Sequence, residues 1–299
     1  MERSDATHVL AAWDAGLPHD RLDCEGFRKA ILDDPDYDAA SVLVAESSGR
    51  VVGFVAAITR DTEAHIGALI VTPDGRDADI LSQLLHHTEA RARTLGARRI
   101  SNSGYDRNHL SPGADVRYVH LMDAYERAGY GSGGPSDDMT CDLVDWTPTD
   151  YQREQIRRAG EYGARVVDFT EFTPERLLAW SKRATEEAGW NWFWEWWEYG
   201  PTMVIAVRDD EIVGFSNYWL TAYLEYGPRN GYGGLGPIGV LPKHRRHGIG
   251  TWMLTECMLR AQAHGLRHLW ANQTNTPLYL PNGWVIYRQF VRFSKSLLS

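Results

Sequence analysis

Cysteine is scarce in this chain, with three in 299 residues, at positions 24, 141 and 257. Their wide spacing excludes a disulfide framework and the paired ligands of a zinc site, and it predicts reduced thiols in a cytosol. No apolar run approaches the roughly 20 residues that a membrane-spanning helix needs. The start, Met1-Glu2-Arg3-Ser4-Asp5, has no apolar signal region. A soluble, cytoplasmic protein is therefore expected, with no membrane partner and no metal. Basic residues are also outnumbered, 31 Lys and Arg against 40 Asp and Glu, for a net charge of −9. That balance excludes the broad basic face demanded by phosphate backbones, so no nucleic-acid partner is expected.

The basic charge that is present is concentrated. Residues 240–251 read Val-Leu-Pro-Lys-His-Arg-Arg-His-Gly-Ile-Gly-Thr. Gly236-Pro237-Ile238-Gly239-Val240 is compatible with a buried strand, and beyond the loop Trp252, Leu254, Met258, Leu259 and Ala263 recur at helical spacing. Gly248 and Gly250 thus open a helix. There the first backbone N–H groups lack partners and the helix dipole is positive, so phosphate oxygens bind readily. Glycine lets an anion approach those amides, and Lys243, Arg245 and Arg246 add charge-assisted contacts. His244 and His247 belong to the same loop. Two glycine runs at 231–236 and 234–239 satisfy the dinucleotide fingerprint but open no helix, and no acidic ribose ligand follows.

The chain also repeats itself. Gly53-Phe54 recurs 161 residues later as Gly214-Phe215, and Pro73, Arg76 and Gly96 recur 169 residues later as Pro242, Arg245 and Gly265. Tyr125 with Gly129-Tyr130 matches Tyr279 with Gly283-Trp284. A repeat this long means two whole domains, expected at 1–148 and 149–299 with a linker around 145–163, where Thr147-Pro148 starts a short connecting helix. The copies differ chemically: Asp79 and Leu81 stand in place of Gly248 and Gly250, and Asp74 and Asp77 replace Lys243 and Arg246. Residues 74–79 carry −2 and residues 243–248 carry +3, with histidines neutral. Each reversed charge costs on the order of several kcal/mol near a phosphate at an effective dielectric of about 20. The first copy is read as degenerate, packing against the second and shaping one wall of its site.

The order Arg245-x-x-Gly248-x-Gly250 after Val-x-Pro, followed by Asn272, then Tyr279 seven residues on, then Gly283-Trp284, resembles the GCN5-related N-acetyltransferase (GNAT) superfamily. The tandem layout is similar to that of the mycothiol synthase type. The resemblance implies an α/β (α+β) protein of two tandem GNAT folds, each a mixed, mostly antiparallel twisted sheet flanked by helices. It implies acyl-CoA-dependent N-acyl transfer, with acetyl-CoA as co-substrate, a small-molecule amine as acceptor and the C-terminal domain active. Carried over residue by residue, Ile238, Gly239 and Val240 pair with the pantetheine arm. Lys243, Arg245, Arg246, His247, Gly248, Ile249, Gly250 and Thr251 hold the diphosphate. Asn272 touches the CoA arm or caps the following turn, and Tyr279 protonates the leaving sulfur. Pro277 and Pro281 bracket Tyr279, so its helix is expected to last about one turn.

Glu225, beside a turn at 227–231, is the candidate general base, with Glu195, Glu198 or an ordered water as alternatives. Five of the twelve tryptophans fall within 190–197. On a helix Trp190, Trp194 and Trp197 share a face. Two readings stay open: the segment seals the interface with the first domain, or, with Tyr218 and Tyr223, it lines a pocket for an apolar or cationic acceptor. A monomer and a homodimer are both compatible. The rival functions are a noncatalytic acyl-CoA-binding regulator and an enzyme acylating a protein N-terminus or lysine. Periodicity predicts helices at 7–15, 25–32, 79–95, 119–128 and 173–187. Strands are predicted at 41–46, 51–59, 65–71, 98–101, 139–144, 165–169, 203–208, 212–224, 284–286 and 290–295.

Overall fold

The computed structural model describes residues 6–20, 22–76, 79–105, 111–190, 202–220, 223–224, 227–228, 231–274 and 276–298. The first half of the chain forms α1 (Ala6–Gly16), α2 (Cys24–Phe27), β1 (Val42–Ser47), β2 (Arg50–Arg60), β3 (Glu63–Val71), α3 (Ile80–Thr94), β4 (Arg99–Ser101), β5 (Ala114–Asp115), α4 (Val119–Arg127) and β6 (Gly131–Asp142). The second half forms α5 (Asp150–Glu161), β7 (Ala164–Asp168), α6 (Pro174–Ala188), β8 (Met203–Arg208), β9 (Glu211–Trp219), β10 (Tyr223–Leu224), β11 (Gly227–Pro228) and β12 (Tyr232–Val240). It closes with α7 (Ile249–Ala263), β13 (His268–Ala271), α8 (Thr276–Tyr279) and β14 (Val285–Ser296).

Two compact units result: one of residues 1–136, 224–227 and 288–299, the other of residues 137–223 and 228–287. In the first unit β1, β2 and β3 pair antiparallel, β3 meets β4 in parallel over residues 63–65, and β4 pairs antiparallel with β14. Trp13, Phe27, Phe54, Ile66, Ile70, Leu85 and Phe293 are fully buried in its core. In the second unit β7, β8, β9 and β12 pair antiparallel, β12 meets β13 in parallel over residues 232–234, and β13 pairs antiparallel with β6. Its core joins α7 to the sheet through Met253, Leu254, Cys257 and Met258, and α6 to β8 and β9 through Leu177, Trp180, Ile205 and Phe215.

Both units thus repeat one plan, a mixed and mostly antiparallel sheet flanked by helices, as the sequence repeat predicts. Each unit takes a strand from the other half of the sequence. Residues 139–142 of β6 complete the second sheet, and residues 294–296 of β14 complete the first.

Several boundaries differ from the periodicity. Residues 25–32 form the single turn α2 followed by a π-helical stretch Arg28–Leu32. β6 starts at Gly131, eight residues before the expected strand, because sheet pairing overrides the turn-like composition Gly-Ser-Gly-Gly-Pro-Ser-Asp-Asp. β9 stops at Trp219, and the two expected closing strands are one, β14. The linker's expected short helix is the twelve-residue α5, starting after Thr149 rather than at Thr147-Pro148 and locked by a capping box between Thr149 and Gln152. Cys24 is exposed, whereas Cys141 and Cys257 are buried, which pushes both thiols up to about 12. Among the described residues no helix is long and apolar enough to cross a membrane.

Candidate active site

In the second unit β12 leaves its parallel neighbour after Gly234, and one extra residue between Leu235 and Ile238 bulges it against β9. The strands diverge there, and Ile238, Gly239 and Val240 line a cleft of about 640 Å³. A β-carbon on Gly239 would fall 2.5 Å from the Trp190 indole, so that ring lies directly on the glycine. Trp190 is itself held against Phe215, with ring centroids 5.7 Å apart.

Beyond Val240 the chain turns through Pro242–His244, and Arg246 takes a left-handed φ of +69°. Such a conformation costs a non-glycine residue about 1–2 kcal/mol and marks a functional constraint more often than an accident. Gly248 follows at φ +85° and is the N-cap of α7, where no side chain caps the helix. Left-handed residues alternating with ordinary ones draw successive N–H groups into an anion-binding concavity. The two glycines serve different ends. A β-carbon on Gly248 would fall 2.1 Å from the backbone oxygen of Gln155, so α5 demands glycine there. A side chain at 248 would therefore strike α5, whatever it did to the amides. At Gly250 a β-carbon would meet only Leu278, at an ordinary 3.5 Å.

The loop is lashed from below. Tyr162 stacks flat on His247 with centroids 3.7 Å apart, the Arg208 guanidinium lies 4.2 Å from the same ring, and the phenol sits 3.0 Å from His244 Nδ1. His244 is buried, and burial, then Lys243 and Arg208, lower its pKa below the usual histidine value. Arg245 Nε donates to the Val240 carbonyl at 2.9 Å. The cleft is lined by Arg245, Arg246, Gly248, Ile249, Gly250 and Thr251. His247 and Lys243 are not among its lining: the first is turned to Tyr162, and the second pairs with Glu211 at 3.6 Å. Missed by the sequence reading are Tyr151, Gln155 and Arg158 of α5, which form another wall with Pro277 and Leu278 opposite. Their signal was the box Thr149-x-x-Gln152, a helix start.

Tyr279 ends the single turn of α8, as short as its flanking prolines predict. It is buried, packed edge-on against Trp284 with centroids 5.0 Å apart, and its neighbour Leu278 lines the cleft. Burial, then the Cys257 thiol, raise the phenol above its ordinary value, which keeps it protonated. Asn282, also missed, bonds the Leu278 carbonyl at 2.7 Å and Thr251 Oγ1 at 3.4 Å, tying this turn to the start of α7. Asn272 is half-buried and is not among the lining residues.

Tyr218 does not reach the cleft: alternation along β9 sends it into the core, where its phenol lies 3.0 Å from His264 Nδ1. Its expected place in an acceptor pocket is corrected on that ground. Glu225, Trp194, Trp197, Glu195, Glu198 and the side chain of Tyr223 lie outside the described residues.

The matching bend of the first unit lacks this construction. Asp79, with φ −73°, stands at the N-cap position of α3 without bonding its first amides but puts a carboxylate there, and Asp74 faces Arg50 at 3.8 Å. Asn102, at the position of Asn272, accepts the Phe293 N–H at 2.8 Å, and Tyr125 stacks on Phe293.

The sequence profile of the acetyltransferase (GNAT) family matches residues 9–130 and again 169–284. No curated protein sequence matches the chain significantly. Among solved structures, the GCN5-related glucosamine N-acetyltransferase region of a fungal multi-domain β-N-acetylglucosaminidase aligns with TM-score 0.75 and 19% identity, over 97% of this chain and 37% of that one. A GCN5-related N-acetyltransferase from Sphaerobacter thermophilus aligns with TM-score 0.70 and 17% identity, over 100% and 95%. A tandem GNAT protein from the clavulanic acid biosynthesis pathway aligns with TM-score 0.63 and 16% identity, over 100% and 96%. The chain therefore spans about a third of the fungal protein and nearly all of the other two.

Proposed function

Because the chain belongs to the acetyltransferase (GNAT) family, we propose that its second unit holds an acyl-CoA, acetyl-CoA in the first instance, and passes the acyl group to a small-molecule amine. The family makes the protein an acyl-CoA-dependent N-acetyltransferase; the working unit and the acceptor are the proposal. The observation that carries it is the uncapped start of α7, whose amides open beside Gly250 into a cleft lined, among the described residues, by three arginines and no carboxylate. The lining fits a diphosphate, whereas the first unit offers Asp79 at the same point.

When bound, acetyl-CoA supplies an activated thioester carbonyl. The residues of this chain do the rest. Residues 238–240, freed from β13, offer backbone groups to the pantetheine arm and an N–H to the developing oxyanion. Tyr279 keeps its proton because burial raises the phenol, and although it lies behind the cleft-lining Leu278 it is proposed as the acid that meets the departing thiolate. Trp190 narrows the cleft over Gly239 and excludes water from the acyl end. Glu225 is proposed as base, with Trp194, Trp197 and Tyr223 extending the aromatic acceptor wall begun by Trp190. The fungal relative's name gives glucosamine, itself a small amine, which supports an acceptor of that class.

CoA-thiol release from acetyl-CoA, followed with a panel of small amines, tests the reading. Acceptor-dependent release is expected, and Tyr279→Phe should lower kcat about 100-fold with little change in the KM for acetyl-CoA. Tight acetyl-CoA binding without release to any amine would overturn it. Full activity of Tyr279→Phe would remove the tyrosine from the mechanism.

A further inference from the structure

Helix α5 lies outside the matched family regions, yet it walls the cleft. Tyr151, Gln155 and Arg158 follow one another at spacings of four and three, which puts them on one face, and all three line the cleft. The helix is fixed in place. Gln152 and Ala159 are fully buried, the Gln152 amide faces Met258 of α7, and the Gln155 carbonyl fills the space above Gly248.

The arginines of this helix are not alike. Arg153 pairs with Asp150 at 3.0 Å, and Arg157 lies between Glu154 and Glu161. Arg158 instead hydrogen-bonds neutral acceptors, the Gln155 amide oxygen and the Arg246 carbonyl, each at 3.3 Å. It forms no close ion pair among the described residues, Glu154 acting on it only at longer range, and it sits beside the left-handed residue of the loop. Coenzyme A carries phosphate in two places, the diphosphate and the ribose 3′-phosphate. With the arm along residues 238–240 and the diphosphate at the start of α7, the nucleotide must leave the cleft past residues 246–248, where α5 stands.

Building on the acyl-CoA reading of this unit, we propose that the inner face of α5 is the nucleotide subsite, with Arg158 binding the 3′-phosphate and Tyr151 packing against the adenine. A guanidinium suits a phosphate through charge-assisted, bidentate hydrogen bonds. The half-exposed ring of Tyr151 offers an apolar face to a base. The helix thereby selects the phosphorylated cofactor over its dephosphorylated form.

Calorimetric titration of the full chain with CoA and with 3′-dephospho-CoA tests this. The unaltered protein should prefer CoA by about tenfold or more, the worth of one good charge-assisted contact. Arg158→Ala should bring the ratio close to one by weakening CoA alone, while Arg157→Ala, on the ion-paired face, keeps it. Tyr151→Ala should weaken both ligands by the same factor. Arg158 is exposed, so its removal should leave the melting temperature unchanged. A missing preference in the unaltered protein, or one that survives Arg158→Ala, would overturn the subsite while leaving the acyl-CoA reading intact. Binding of neither ligand would overturn both.

Discussion

Two residues apart, Gly248 and Gly250 meet opposite surroundings, and this separates folding from binding. Gly248 is left-handed and presses on the Gln155 backbone, so any β-carbon brings strain in φ and a backbone clash together. Gly248→Ala should lower stability by about 2 kcal/mol or more, and its loss of cofactor binding would say little about the amides. Gly250 is ordinary helix with room beside it. There alanine should stabilise by roughly 0.5–1 kcal/mol, and aspartate should be tolerated, since acidic residues favour helix starts. Gly250→Asp should nonetheless weaken CoA by about 100-fold through repulsion of the diphosphate. Thermal melting beside calorimetry reads both effects. Unchanged CoA affinity in a stable Gly250→Asp would remove the amides from the site.

At the scale of elements, the loop between β12 and α7 is held by a ring stack in addition to its own hydrogen bonds. Tyr162 fills the space between His247 and Arg208 and reaches His244. Tyr162→Leu should keep the fold and loosen the loop, weakening CoA by about tenfold, while Tyr162→Phe recovers most of the loss. His244 makes the lash pH-dependent. Its folded pKa is lowered, so the neutral form is favoured by folding. Stability from this group is complete above the unfolded value of about 6.5 and is lost as pH falls through the lower folded one. Between about pH 7 and 5 the protein should therefore lose stability that His244→Gln does not lose, as followed by urea midpoints. Parallel pH curves would detach His244 from the lash. The strands around this loop were legible because buried β-branched runs such as Met203–Arg208 leave a clear pattern. The start of α7 was legible because glycines punctuate it, but the reason for Gly248 was not, since its packing on the Gln155 backbone leaves no trace in the sequence. The wall made by α5 was not, since its cleft-facing residues are polar and only the cap at Thr149 announces a helix. Tyr218 was misplaced because alternation tells that neighbours face opposite ways but not which of them faces the core.

For the whole molecule, the exchange of closing strands matters more than the repeat that reveals two domains. No periodicity records which partner a strand finds more than a hundred residues away, so a sequence cut at 148 looks clean. Such a cut strips each unit of a strand. Residues 149–299 alone would lack Met139, Cys141 and Leu143, all buried in the second core. Burial of such side chains is worth roughly 5 kcal/mol in total, comparable to the full stability of many domains, about 5–15 kcal/mol. The edge of β13 would also be left bare. Residues 1–148 alone would lack Phe290 and Phe293, together with Arg288, whose guanidinium lies 2.7 Å from both Asp20 and Asp115 in the first core. Asp115 would keep Arg117 at 2.6 Å, but Asp20 would lose its cation, a loss of about 3 kcal/mol. Each fragment expressed alone should therefore be unfolded or aggregated, while the two made together should assemble and recover CoA binding. Hydrogen exchange and calorimetry on the separate and joint products decide the matter. A cooperatively folded, CoA-binding fragment 149–299 would show that β6 is dispensable and that each half of the sequence closes its own sheet.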